Sequence, residues 1–492
     1  MAGANGQGPA GERLHLLLAG SDDLRPRLPS GLAVESLWQA PRPERLPRHV
    51  EVPLLDRPDA DPNALEAQRW GVIAPESAEG DEMLRALAPL LEHRARQQGA
   101  EVKRYRVPPD LDALRAVAWR DRVYKAEDVP AEERPRYLLM LGDLHQVSIE
   151  LQHVLAQSAF VGRLHFATAV GALDVAGHAA YAEKVLAHER ATAASGLPEV
   201  LLYGAMDGSE ATGLARDLLL EPCRRRVDER WLPKGRVGRL RVVLDDGSDP
   251  QALTRAAGLT RAGVMLSTSH GVGAPVAGWA SPEQQRAYQG ALLLGSGRLL
   301  TSDEVRQEPF LPGGMWFALA CFGAATPPRS AFYPWLSLLA EQQQYAGPVE
   351  AVRASLPPRE RPFLAALPQA ALANPNGPLA MVGHSDLAWS FGFTDLESPG
   401  TSRASRLLTA LEVLAMGGRA GVALDALMRS YRDVNDSLTS AYQHRQEALA
   451  EGQADPIQPR WLGLQWLLRN DLRGYMLLGD PAVRLPPRPT AG

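Results

Sequence analysis

The sequence predicts an α/β protein built on a largely parallel sheet with helices on both faces. Three observations predict it. Short apolar runs of strand length recur along the chain, without the polar alternation of strands that face water on one side. Several are separated by stretches with apolar residues at helical spacing. The order strand, helix, strand then implies right-handed βαβ winds and an open sheet.

Taken in order, "GVIAP" after Trp70 is the first strand. "DEMLRALAPLLEHRARQQ" from Asp81 to Gln98 reads as one helix despite its proline, with Gly99 as its stop. "EVKRYRV" alternates like a strand, and "RYLLMLGD" from Arg136 to Asp143 reads as a buried one. "AYAEKVLAHER" is a helix. "EVLLYGAMDG" and "LRVVLDDG" are strands, and so is "GVMLSTSHG". "SPEQQRAYQGALLLG" is a helix with Ser281 as N-cap and Pro282 in the first turn. "GGMWFALACFG", "GPLAMVGHSDLAW" and "YMLLGDPAVRL" supply the remaining strands. The 492 residues divide into a Pro/Arg-rich arm (1–60), a first α/β subdomain (61–259), a second, site-bearing α/β subdomain (260–486), each subdomain with its own largely parallel sheet flanked by helices, and a tail (487–492). The arm drapes over a domain or stays partly disordered; its apolar run, Leu14 to Ala19, is very short.

A net charge of −5 argues against a nucleic-acid partner, which needs a strong basic face. No apolar run reaches the length of a membrane span, and the N-terminus lacks the basic start of a secretory signal. With only Cys223 and Cys321, the chain has neither a disulfide framework nor a CxxC metal pattern. A reducing, cytoplasmic setting fits, and the reading calls for no metal or cofactor.

In parallel sheets, functional groups collect at the carboxyl ends of strands. Four polar residues hold such positions: Asp207, His270, Cys321 and His384. Read alone, each has a bland explanation: a core thiol, a turn histidine, a turn or cap acid, a core histidine. Together, His270 and Cys321 form a nucleophile and its acid/base partner on strands joined by one helical crossover. A thiolate attacks a peptide carbonyl, and an imidazole supports it and protonates the leaving amine. The developing oxyanion needs donors; Gly271 allows close approach of main chain to substrate, and the N–H of Cys321 is the second donor.

"STSHGVG", "FALACFGAATP" and "MLLGDPAVRL" resemble the clan of caspase-like cysteine peptidases, most of all gingipain-type peptidases and CHAT-type domains. The resemblance runs from about Trp70 to Leu485 and includes "RYLLMLGD", "FVGRLHFATAVG" and "AYAEKVLAHE". His270 and Cys321 stand about 50 residues apart, the separation seen in caspases. The resemblance implies a caspase-like fold, His270 as general acid/base, Cys321 as nucleophile, and Gly271 with Cys321 as the oxyanion hole. It makes Asp207 the acid that orients His270 and Trp389 a wall of the primary specificity pocket. Glu210 stands nearest to the place of the gingipain pocket acid, and His384 is either a pocket wall or a core residue. Unlike gingipains, the chain shows no signal and no obvious pro-segment. If Glu210 or Asp207 floors the pocket beside Trp389, a basic P1 residue follows. If Asp207 is engaged by His270 and Glu210 faces solvent, the pocket is apolar and takes leucine or another uncharged residue with shallower discrimination; the reading leans to the basic residue. The function implied is a soluble cysteine endopeptidase acting on one protein, such as a gasdermin-like pore-forming protein or another defence effector. The alternatives are an inactive scaffold or peptide-binding module, or a thiol hydrolase acting on small amides.

Overall fold

The structure, a computed structural model, describes residues 13–39, 60–168, 170–191, 196–342, 345–356, 361–395, 397–398 and 400–486. The tail at 487–492 and the arm at 1–12 and 40–59 lie outside the described residues.

Ten strands form one sheet. They are β1 (Trp70–Pro75), β2 (Lys103–Val107), β3 (Tyr137–Leu141), β4 (Phe160–Leu164), β5 (Glu199–Ala205), β6 (Arg239–Asp245), β7 (Val264–Thr268), β8 (Met315–Leu319), β9 (Ala380–His384) and β10 (Tyr475–Gly479). Their spatial order is β2-β1-β3-β4-β10-β9-β8-β7-β5-β6. Every pairing is parallel except β9 with β10. The sheet is thus two parallel halves running in opposite directions, joined at that seam. The expectation of one sheet per subdomain gives way to a single continuous one, because β10 pairs with β4 on one side and β9 on the other. The halves also interleave along the chain: β5 and β6 precede residue 260 yet pair beside β7, while β10 closes onto the first half.

The unbroken apolar runs have a simple cause. Successive side chains of a strand point to opposite faces, and here both faces are covered. Val264 and Leu266 of β7 join one core and Met265 the other; in β8, Met315, Phe317 and Leu319 oppose Trp316 and Ala318. In the first half, Tyr137, Leu139 and Leu141 oppose Leu138 and Met140.

Two local expectations are corrected. The single helix expected over Asp81–Gln98 is two, Ala78–Ala86 and Ala88–Gln98. Pro89, with no N–H to donate, opens the second rather than sitting inside the first. The described part of the arm is not draped on the surface. Leu14, Leu16, Leu18 and Ala19 have no exposed surface, and Leu18–Gly20 pairs with His270–Gly273 in a small four-stranded sheet. Between β9 and β10 the chain also forms three helices, Ser405–Ala415, Ala420–Ala450 and Pro459–Arg473, which the sequence reading did not single out. Among the described residues no helix is long and apolar enough to cross a membrane.

Candidate active site

β5, β7, β8 and β9 run in one direction, so their carboxyl ends share one edge of the sheet. β7 lies between β8 and β5: Thr268 is in register with Leu319 on one side and Gly204 on the other. The loops leaving these ends carry His270, Cys321 and Asp207. After β7 the chain leaves the large sheet, and His270–Gly273 enters the small one. Gly271 is the closest approach: a β-carbon there would lie 1.8 Å from the Cys321 carbonyl oxygen and 2.8 Å from its nitrogen. Only glycine lets the His270 strand pass the Cys321 main chain so tightly. Phe322, directly after Cys321, takes a left-handed conformation at φ 56° and donates its N–H to Asp386 O at 2.9 Å. Such backbone strain in a non-glycine residue persists only where its surroundings enforce it.

The His270 ring is buried and its Nε2 lies 3.1 Å from Asp207 Oδ2 and 3.0 Å from Ser209 Oγ. Nδ1 is buried with no hydrogen-bond partner. Asp207 is itself held: its Oδ1 accepts from Ser209 N–H at 3.0 Å and from Thr212 Oγ1 at 2.8 Å. Burial pushes the Asp207 carboxyl up, but the bond and charge of His270, with these donors, outweigh it and hold its pKa well below the usual range. Sequence reasoning missed Ser209. Its signal was available: it caps the helix Glu210–Ala215, its hydroxyl accepting from Thr212 N–H.

The Cys321 thiol is fully buried. Ala388 N–H donates to its sulfur at 3.2 Å. Burial, with the charges of Asp386 and Asp471, raises its pKa well above that of a free thiol, against the lowering effect of main-chain bonds from Ala388 and Leu17. Asp386 and Asp471 also lacked any sequence signal. Asp471, on the last helix, receives Trp389 N–H at 2.9 Å and Gly392 N–H at 3.0 Å; burial pushes it up to about 8. Asp386 receives Ala331 N–H and Leu387 N–H, and burial pushes it up to about 6.

The remaining site residues divide. Trp389 is buried in an aromatic cluster, stacked on Phe391 at 5.6 Å and beside Trp335 and Phe332. Its ring has no exposed surface, and its main chain pairs with Leu16. His384 belongs to the core. Its Nδ1 and Nε2 sit 2.9 and 2.8 Å from the carbonyls of Asp386 and Asp471, its ring packs edge-on to Tyr475, and burial lowers its pKa to about 4. Glu210 is more than half exposed, 3.9 Å from His15. Neither acid therefore floors a pocket, since Asp207 is engaged by His270 and Glu210 faces out. Cys223 is buried away from this edge, in the helix Glu221–Arg226.

No protein-family model matches the sequence, and no curated protein does. Among solved structures, a periplasmic sugar-binding protein from Pseudomonas fluorescens is 13% identical, covers 72% of this chain and 93% of its own, and has a TM-score of 0.15. An extracellular ligand-binding receptor from Rhodopseudomonas palustris HaA2 is 11% identical, covers 83% and 95%, and has a TM-score of 0.16. Likenesses of that size carry no argument about this chain. What the geometry itself provides is an α/β sheet edge whose loops carry a buried thiol, an acid-held imidazole and two main-chain N–H donors that share one acceptor.

Proposed function

We propose that the chain is a cysteine endopeptidase in which Cys321 attacks a peptide carbonyl and His270 moves the proton. One observation carries this reading. The N–H groups of Gly271 and Cys321 converge on a single peptide oxygen, that of Leu17, at 2.8 and 3.2 Å. Two donors aimed at one carbonyl from the nucleophile's own residue and from the glycine after the histidine are what an acyl-transfer oxyanion needs. His270 fits its role because Asp207 and Ser209 hold Nε2 and leave Nδ1 unbonded. Nδ1 takes the thiol proton, Sγ forms a thioester, and the proton passes to the leaving amine. Water then hydrolyses the thioester. On the family resemblance the substrate is a cytoplasmic protein, such as a gasdermin-like pore-forming protein or another defence effector.

A second reading has an observation in its favour. The thiol is covered and its pKa is raised, as in a peptide-binding module that no longer turns over. A thiol-directed peptide probe separates the two. Adduct formation at Cys321 that is lost in His270→Ala supports the peptidase; an adduct formed equally in both supports the binding module.

A further inference from the structure

We infer that residues 14–20 occupy the peptide groove of this site as an intramolecular ligand, and that the groove selects leucine at the position of Leu17. The inference rests on the peptidase reading above and names its substrate class and its resting state.

The segment pairs with the protein on both sides of Leu17. On the amino side, Leu17 N–H donates to Ala388 O at 3.2 Å, Ser390 N–H donates to His15 O at 3.1 Å, and Leu16 bridges antiparallel to Trp389. On the carboxyl side, Leu18, Ala19 and Gly20 run parallel to Gly271, Val272 and Gly273. Between them stands the Leu17 carbonyl, with its oxygen between the two donors. Main-chain pairing of this kind holds an extended peptide of any sequence, and the side-chain pockets decide which one. Here the pockets are apolar. Leu14, Leu16 and Leu18 are fully buried and Leu17 is 2% exposed. The acids near the site are already engaged or turned away: Asp207 by His270, Asp386 by the N–H groups of Ala331 and Leu387, Asp471 by those of Trp389 and Gly392, while Glu210 lies outward. An unpaired buried charge is strongly disfavoured, so leucine is accepted and arginine or aspartate is refused.

The same contacts close the site. A second peptide cannot reach Cys321 while Leu17 holds both donors. The segment is fastened beyond the site by Arg27. Its guanidinium lies against Gly20, where a β-carbon would come within 1.7 Å of Nη2. Arg27 also donates to Asp22 at 2.7 Å, to Asp23 at 3.2 Å and to the Ala274 carbonyl at 3.3 Å.

The test is the labelling rate of Cys321 in the full chain, using acyloxymethyl ketone probes that carry leucine, arginine or aspartate next to the ketone. Two variants loosen the segment: the double variant Leu16→Gly, Leu17→Gly, and Arg27→Ala, which removes the clasp and leaves the buried leucines in place. Both are checked for a cooperative melt. The expected result is labelling by the leucyl probe at least about tenfold faster than in the parent chain, because a larger fraction of sites is open. The leucyl probe outruns the other two, and a synthetic peptide of residues 12–21 slows the reaction while a scrambled one does not. Variants that melt cooperatively and label no faster overturn the inference, as does preference for arginine or aspartate. Failure of the peptidase reading looks different: labelling of the loosened chain is then unchanged by His270→Ala.

Discussion

At Gly271 the backbone of one strand passes the Cys321 carbonyl with no room for a methyl group. Gly271→Ala therefore forces the two apart. The expected outcome is lost turnover together with destabilisation at the upper end of about 1–3 kcal/mol, read by urea unfolding. Asp207 calls for a different measurement. Its folded pKa is depressed, so the stability it contributes is present above its unfolded pKa, near 3.9. That stability is lost as pH falls through the lower folded value. Asp207→Asn is expected to cost about 1.5–3 kcal/mol at neutral pH, the range for hydrogen bonds to a charged group. Unfolding curves at neutral and acid pH check the sign: the gap to the parent chain narrows as pH drops below about 4. Its effect on turnover is milder than that of Cys321→Ala or His270→Ala, because it acts through the imidazole. The strand-end positions of Asp207, His270 and Cys321 were legible in the sequence because each follows an apolar run, and Gly271 was legible as the small residue after His270. Asp386, Ala388 and Asp471 were not, since they act through main-chain bonds between segments far apart in the chain.

Elements were legible where their signals are local. β3, β7, β8 and β9 appear as unbroken apolar runs, and Gly99 ends its helix in the left-handed conformation as expected. The run Leu14–Ala19 was legible as apolar but too short to place; only its pairing with Gly271–Gly273 and Ala388–Ser390 gives it a position. The reach toward the site of the helix beginning at Glu210 depends on its cap. Ser209→Ala removes the single hydroxyl that both accepts from Thr212 N–H and lies beside His270 Nε2. The expected cost is about 1 kcal/mol of stability, read by thermal melting. Turnover falls as well, since the ring loses one of the two groups that hold it.

Across the whole molecule, the two halves of the sheet depend on the last strand. Strand order was not legible, because β10 must travel from beyond three helices to lie between β4 and β9. The turn after it carries Asp480, which no exposed surface reaches. Its carboxylate accepts from Trp70 Nε1 of β1 at 2.9 Å and from Arg94 Nε at 2.8 Å, and Arg94 is also bound by Glu189. The sequence motif "LLGDPAV" thus pins the closing strand to the first half. Asp480→Ala leaves a buried guanidinium short of a partner, and a loss of about 3–5 kcal/mol is expected by denaturant unfolding, with the site's residues untouched.

The central claim is that Cys321 and His270 act as one nucleophilic unit, and peptide-bond turnover tests it most directly. Cleavage of a peptide library would be measured for the parent chain and for the chain loosened by Leu16→Gly and Leu17→Gly. The same assay would then be run on the loosened chain carrying Cys321→Ala or His270→Ala. The predicted result is cleavage by the loosened chain that falls at least about 10³-fold with either substitution, the two losses not adding. Turnover that survives Cys321→Ala or His270→Ala, or cleavage by none of the chains, contradicts the claim.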